Sequence, residues 1–345
     1  MRRILPLAAV LALMALFGFG VYSVLGTLKS NRHQTHKPTE SQALIALNGS
    51  VVMVQQGKIY RLNGLTFTQL QAPAYDWVQV EPAPTGDILA VALTSKSSDV
   101  YLLNSQGQVL RHLLSESSSY YFDNHWAYYP RLSPNGQTLF FVSDWYEPSN
   151  QYNVDFQIQS VPFSDPSANP TVWSQPLYYQ GGDVEPIPLS NGDVIYAKYY
   201  VNSQSGAGQG DTYSDLVLAS APNSTLVQLT TPQEDCAEPA LSPNGTEIAM
   251  ICTDNSLQTT TLDVASWNGT ALGPLRVVAS GPEPASPTWS PDGKSLLYFN
   301  TLLTDKSSPF QLWWVPQATA AKPGTPQQVT AGLDFTATSP PIWSS

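Results

Sequence analysis

The sequence predicts an all-β protein, a six-bladed β-propeller of four-stranded blades preceded by an N-terminal transmembrane helix. Three observations predict the propeller. Short β-rich runs alternate with Gly, Pro, Asn and Ser, no amphipathic helical period of any length follows residue 42, and one unit recurs about every 50 residues. The roughly 300 residues after position 42 are enough to bury the core of one such domain.

The repeated unit is clearest at residues 287–294, Pro-Thr-Trp-Ser-Pro-Asp-Gly-Lys, which lead into Leu-Leu-Tyr-Phe at 296–299. The second Pro presets φ and the Gly admits a positive φ, so the unit predicts a strand, a tight turn and a second strand. The glycines of the turns are spaced by 50, 56, 53 and 48 residues, close to the length of one propeller blade. They are Gly86, Gly136, Gly192, Gly245 and Gly293.

These residues resemble the TolB-type β-propeller repeat of the WD40-like propellers, whose core is a Pro-x-Trp-Ser-Pro-Asp-Gly-Lys hairpin. Four of the five full copies keep an Asn-Gly or Asp-Gly turn, and the resemblance covers about residues 43–345. It implies the propeller fold. It leaves the function open, because that family includes partner-binding proteins, sensors and propellers attached to peptidases.

Residues 1–26 predict a signal anchor, which is a retained transmembrane helix. Residues 4–26 form a run of 23 uncharged positions, and at about 1.5 Å per residue this run spans a bilayer core of about 30 Å. A cleaved signal peptide is the alternative, although the run is longer than a usual signal core and no clean small-x-small site ends it. Polar residues 27–42 predict a flexible stalk.

The two cysteines flank the turn at Gly245. An antiparallel hairpin through this turn places Cys236 opposite Cys252, at a separation that a disulfide can bridge. Two free buried thiols are the alternative. Because a disulfide fits an oxidising compartment, we expect a single-pass protein of the cell membrane with its propeller on the extracytoplasmic side.

The charge of the propeller limits its partners. From residue 43 on there are 10 Lys and Arg against 25 Asp and Glu, a formal charge of −15. This balance argues against nucleic acid or an anionic lipid surface as a partner, and it favours solubility and cationic ligands.

Blades two to six are assigned to residues 76–116, 124–180, 181–233, 234–281 and 282–333. Blade one would combine outer strands at 50–54, 58–62 and 66–70 with an inner strand from 339–345, so that the N- and C-terminal strands pair and close the ring. Residues 43–47 are either an extra strand or that inner strand. Seven blades are the alternative if residues 43–75 are misread.

When the copies are aligned on the turn glycine, the position before the Pro of the repeat should line the central channel. Glu185 and Glu238 occupy it in adjacent blades and could converge near one mouth. With Asp183 and Asp235 they offer oxygen ligands for Ca²⁺, or they form a catalytic acid pair, or they simply face channel water. We expect no metal and no cofactor. The full set at this position is Gln79, Tyr129, Glu185, Glu238, Ser286 and Pro340.

Aromatic residues concentrate in blades three and four, where two loops are also long. Tyr and Trp present a flat apolar face and a polar tip, which suits the recognition of a peptide or a sugar. Packing between blades is the alternative use of these rings. The candidate ligand-binding residues are Tyr129, Trp145, Tyr146, Tyr199, Tyr200, Glu185 and Glu238.

Signals of catalysis are weak. The propeller contains only His112 and His125, and the Gly-x-Ser-x-Gly elbow, the His-Glu-x-x-His motif and the Gly-rich phosphate loop are absent. The sequence therefore favours a monomeric propeller that binds a protein or peptide partner. The resemblance to TolB-type propellers implies that it acts as a scaffold or sensor in the cell envelope. The alternatives are a small-ligand module for a sugar or Ca²⁺, and a channel-acid hydrolase or lyase that acts on a glycan.

Overall fold

The computed structural model describes residues 37–119, 124–144, 155–176, 181–201, 212–254, 257, 259–302 and 309–345. Residues 1–36, on which the predicted anchor falls, lie outside the described residues, as do Trp145 and Tyr146. No helix in the described part of the chain has the length and apolar character needed to cross a bilayer.

The described residues form six antiparallel sheets of four strands each, which are the blades of a propeller. This confirms the predicted all-β, six-bladed fold. Two short 3₁₀ helices, Glu40–Gln42 and Pro84–Gly86, accompany the strands. In chain order the strands are β1 (Leu47–Gln55), β2 (Lys58–Gly64), β3 (Thr66–Gln69), β4 (Asp76–Pro82), β5 (Ile88–Leu93), β6 (Ser98–Leu103), β7 (Val109–Leu114), β8 (Ala127–Leu132), β9 (Thr138–Ser143), β10 (Gln157–Pro162), β11 (Thr171–Val172), β12 (Gly182–Pro188), β13 (Val194–Val201), β14 (Thr212–Ala219), β15 (Val227–Gln228), β16 (Cys236–Leu241), β17 (Glu247–Asp254), β18 (Thr259–Ser266), β19 (Arg276–Gly281), β20 (Ala285–Trp289), β21 (Leu296–Thr301), β22 (Phe310–Val315), β23 (Gln327–Gln328) and β24 (Ile342–Ser344).

Blades two to six each use four consecutive strands, from β4–β7 to β20–β23. Blade one has the order β24-β1-β2-β3, and Ser344 and Ile342 of β24 lie opposite Ser50 and Val52 of β1. Ala43 makes an isolated bridge to Thr330 instead of extending this sheet.

The repeat turns have a common hydrogen-bond pattern. Ser290 Oγ accepts the N–H of Ser295 at 2.9 Å and donates to Asp292 Oδ1 at 2.6 Å, while Gly293 has a φ of +68°. In the turns that end at Gly136 and Gly245 the serine hydroxyl donates in the same way, to an Asn side-chain oxygen in place of the Asp, and both glycines have a positive φ. The sequence motif therefore encodes the hairpin directly.

The core lies between the blades, so each sheet is covered on both faces. Trp289 shows how the repeat achieves this, because its indole Nε1 donates to the carbonyl of Ala240 in the preceding blade at 2.8 Å. Residues 296–299 of β21 are all at most 1% exposed. Two-sided burial explains why the second strand of each copy reads as an unbroken apolar run.

Cys236 and Cys252 lie opposite each other in β16 and β17 and form a disulfide. Their Cα atoms are 4.1 Å apart. The predicted pairing, derived from the register of the turn, is confirmed.

Candidate functional site

Four inner strands share one irregularity at the residue before the Pro of the repeat. Its φ is +50° at Tyr129, +58° at Glu185, +53° at Glu238 and +50° at Ser286, and each strand shifts register at this point. Pro has no N–H for the ladder, and the residue before it avoids the right-handed helical region. The chain therefore forms a β-bulge, a device that redirects a side chain.

The redirected side chains link successive blades. Gln79 Oε1 accepts the N–H of Tyr129 at 2.7 Å, and Glu185 Oε2 accepts the N–H of Glu238 at 2.7 Å. The carboxylate of Glu238 accepts the N–H of Ser286 in turn. Each oxygen satisfies a main-chain donor at the bulge of the next blade. We call these five residues, Gln79, Tyr129, Glu185, Glu238 and Ser286, the pre-proline ring. Gln79 precedes Val80 and belongs to the set because, like the others, it lies seven positions before the glycine of its turn.

A C-terminal segment, residues 337–339, joins the ring from blade six to blade two. Ser286 Oγ donates to the carbonyl of Ala337 at 2.9 Å, and Gln79 Nε2 donates to the carbonyl of Thr338 at 2.9 Å. The sixth predicted position, Pro340, has no polar side chain. Main-chain carbonyls supply the hydrogen-bond acceptors here instead.

An ion pair joins Glu81 and Arg131, which follow the ring residues Gln79 and Tyr129 by two positions. Arg131 Nη2 is 3.1 Å from Glu81 Oε1, and Glu81 is only 1% exposed. Burial raises the pKa of Glu81 to about 7, against the opposing effect of the Arg131 charge. Sequence reasoning missed this pair. The sequence did contain a signal for it. At the position five residues before the turn glycine, only blades two and three carry a charge, and the two charges, Glu81 and Arg131, have opposite sign.

Electrostatics link the two glutamates of the ring to two tyrosines. Burial raises the pKa of both glutamates, and the charge of Glu238 raises that of Glu185 further. Burial, followed by the charges of these two glutamates, also raises the pKa of the Tyr129 and Tyr199 hydroxyls. Both hydroxyls therefore remain protonated.

Tyr200 belongs to a different cluster. It follows Tyr199 in β13, and successive residues of a strand point to opposite faces. Its ring stacks on that of Tyr213 with centroids 5.4 Å apart, and Lys198 Nζ lies 5.8 Å from the ring centre. Lys198 also pairs with Asp183 Oδ1 at 2.9 Å.

The structure thus brings together four of the predicted site residues, Tyr129, Tyr199, Glu185 and Glu238, and places Tyr200 elsewhere. The two aspartates considered for Ca²⁺ have other partners. Asp183 pairs with Lys198, and Asp235 accepts the N–H of Ser214 at 2.7 Å. Within the described residues, no three His, Cys, Asp or Glu side chains are grouped to hold a metal ion.

These features define a class: a six-bladed β-propeller with acidic and tyrosine side chains at the bulges of its inner strands. No family model matches the sequence, and no curated protein matches it. Solved structures do resemble it. TolB from Acinetobacter baumannii has a TM-score of 0.55 at 14% identity, over 81% of this chain and 66% of that chain.

A putative TolB from Agrobacterium tumefaciens has a TM-score of 0.57 at 13% identity, over 86% of this chain and 94% of that chain. A puromycin-hydrolyzing peptidase from Mycobacterium tuberculosis has a TM-score of 0.54 at 15% identity, over 86% of this chain and 45% of that one. The chain therefore has the fold of a TolB-like propeller, as the repeat predicted. At these identities the likeness concerns the fold alone.

Proposed function

We propose that this chain is a membrane-tethered, extracytoplasmic propeller that binds a protein or peptide partner, as a scaffold or sensor in the cell envelope. The observation that carries the proposal is the grouping of two partly exposed tyrosines, Tyr129 and Tyr199, with Glu185 and Glu238. Aromatic rings provide rigid contact area, and hydroxyls and carboxylates fix orientation. The TolB-like fold supports binding as the role.

The charge of the propeller indicates the chemistry of the partner. A formal charge of −15 beyond residue 42 steers basic surfaces towards it. Burial raises the pKa of Glu185 and Glu238, and a Lys or Arg of the partner would favour their ionised forms. The cation already acting on Glu185 is Arg131, which is paired with Glu81. Trp145 and Tyr146 are proposed as further ligand-binding residues on the basis of the sequence.

The membrane location rests on two supports. The apolar run at residues 4–26 has the length of a bilayer-spanning helix. The disulfide between Cys236 and Cys252 fits a compartment outside the reducing cytosol. Protease digestion of intact cells tests this placement, since a propeller on the outside is degraded while cytosolic markers survive.

Affinity capture from membranes of the source cell tests the binding role. The tagged full chain, its Tyr199→Ala and Tyr146→Ala variants, and a Val277→Ala control would be compared by mass spectrometry. Val277 is 56% exposed on the outer strand of blade five, so it serves as a surface change away from the site. We expect one reproducible partner, retained by the control and reduced at least tenfold by both tyrosine variants. Equal capture by all four proteins would contradict the proposal.

A further inference from the structure

A cleft of about 1130 Å³ lies between blades three and four, at the end of the propeller that carries the repeat turns. Its walls are the turn at residues 133–138, the segment 162–164 that follows β10, and the turn at residues 188–192. None of the residues of the pre-proline ring lines it.

The cleft exists because two neighbouring turns stand apart. In two other pairs of neighbouring blades, the Pro of one turn lies close to the Gly of the next turn. A Cβ atom placed on Gly136 would be 3.6 Å from the Pro84 ring, and one placed on Gly293 would be 3.6 Å from the Pro243 ring. At Gly192 no atom of the described residues lies within 4 Å of the same point, which is also the case at Gly86 and Gly245.

The floor of the cleft is aromatic and the rim is polar without charge. Phe140 and Trp173 lie at the base of the cleft with ring centroids 5.3 Å apart, and both belong mainly to the core, being 4% and 9% exposed. The Trp173 indole N–H is already satisfied by Ser160 Oγ at 2.9 Å. No lining residue is charged. Four rim side chains make no hydrogen bond within the described part of the chain: Gln137, Ser164, Thr171 and Ser190.

This lining selects against two classes of ligand. An ionic ligand would find no counter-charge among the lining residues. An extended peptide that adds a strand would need free main-chain groups at β11. The carbonyls of Val172 and Trp173 there already accept hydrogen bonds from Asn223 of blade four, at 3.1 and 3.0 Å.

We propose that the cleft binds a short uncharged oligosaccharide. The hydroxyls and amide of the rim both donate and accept, which matches the hydroxyl groups of a sugar. The small exposed part of the aromatic floor contacts apolar C–H groups of the sugar, so the rim supplies most of the contacts. This site is separate from the pre-proline ring, so its test is independent of the proposed protein partner.

The test is a calorimetric titration of the full chain, purified in a zwitterionic detergent so that no sugar head group competes. Maltotriose, cellotriose and tri-N-acetylchitotriose are the neutral probes, and trigalacturonate is the charged one. We expect saturable binding of at least one neutral trisaccharide and at least tenfold weaker binding of trigalacturonate.

Variants locate the site. The double change Gln137→Ala and Ser190→Ala should weaken binding at least tenfold, and Thr171→Trp should block the cleft and abolish binding. Lys294→Ala alters the position in blade six equivalent to Gln137 and should leave affinity unchanged. Failure of all three neutral trisaccharides to saturate, preference for trigalacturonate, or equal affinity of the double variant and the unaltered chain would each overturn the proposal.

Discussion

The carboxylate of Glu185 accepts the main-chain N–H of Glu238 at 2.7 Å, so a side chain of blade four holds the bulge of blade five. Glu238 makes the same link to Ser286 of blade six. The two glutamates therefore join neighbouring blades, and a ligand that reaches them meets groups already fixed in place. Substitutions that keep the acceptor oxygen but remove the charge separate the two roles.

Replacing Glu185 by Ala should destabilise the propeller. The change leaves the N–H of Glu238 without its acceptor, and an unsatisfied buried donor costs about 1–3 kcal/mol. Glu185→Gln retains an acceptor and should keep the stability within about 0.5 kcal/mol. Urea denaturation followed by circular dichroism measures both. Equal losses in the two variants would show that the carboxylate acts through its charge instead.

The buried acid Glu81 should make stability fall as the pH rises. Its pKa is about 7 in the folded chain against an ordinary 4.5, so between these values the folded state holds a proton that the unfolded state releases. The contribution is fully present below pH 4.5 and is lost as the pH passes through 7, with a change on the order of 3 kcal/mol. Glu185 and Glu238, whose pKa values are also raised, act in the same direction.

Glu81→Gln isolates this effect, because the variant lacks the titrating group. Free energies of unfolding measured in urea at several values between pH 4.5 and 8 should decline less steeply for the variant than for the unaltered chain. Parallel pH profiles would rule out Glu81 as the source.

Loss of the disulfide should cost about 3 kcal/mol, because Cys236 and Cys252 are separated by 16 residues and close a loop of that size. The Cys236→Ser, Cys252→Ser double variant and the reduced chain should unfold at similarly lower urea concentrations. Thiol titration of the unfolded, unreduced protein should find no free cysteine. Two free thiols in that assay would contradict the bridge.

Ser290→Ala should lower stability by about 1–2 kcal/mol, because Ser290 Oγ accepts the main-chain N–H groups of Lys294 and Ser295 at 3.1 and 2.9 Å. Ser190→Ala is the matched control in the turn of blade four, where this side chain makes no such bond in the described structure. Thermal melts followed by circular dichroism should show a drop of several degrees for the first variant only. A similar drop in both would mean that the hydroxyl bonds are not the cause.

The hairpins and the disulfide could be predicted from sequence because each depends on local rules. Gly293 and its equivalents mark the turns, and a turn fixes which residues of the following strands are opposed, so the position of Cys236 against Cys252 followed by counting. The one-residue bulge at Glu238 lies between this pair and the turn, and it moves the register by a single position without separating the cysteines.

The arrangement of the site was harder to predict because it depends on contacts between blades. The bulge redirects Glu185, and alternation along β13 places Tyr199 and Tyr200 on opposite faces, so neighbouring tyrosines in the sequence do not share a site. The pair Glu81 and Arg131 joins side chains 50 positions apart. Their opposite charges at equivalent repeat positions are visible in the sequence, but the contact itself depends on how blade two packs on blade three. The role of Trp145 and Tyr146 in ligand binding remains a prediction.

The pairing of β1 with β24 sets an order for assembly during synthesis. The hydroxyls of Ser50 and Ser344 bond at 2.9 Å across 294 positions of chain. Blades two to six are each made from one continuous stretch and can form as that stretch leaves the ribosome, whereas blade one must wait for residues 342–344. Until then one edge of β1 lacks its neighbour and stays available to chaperones or to wrong partners. The first part of the propeller to be translated is the last to be completed.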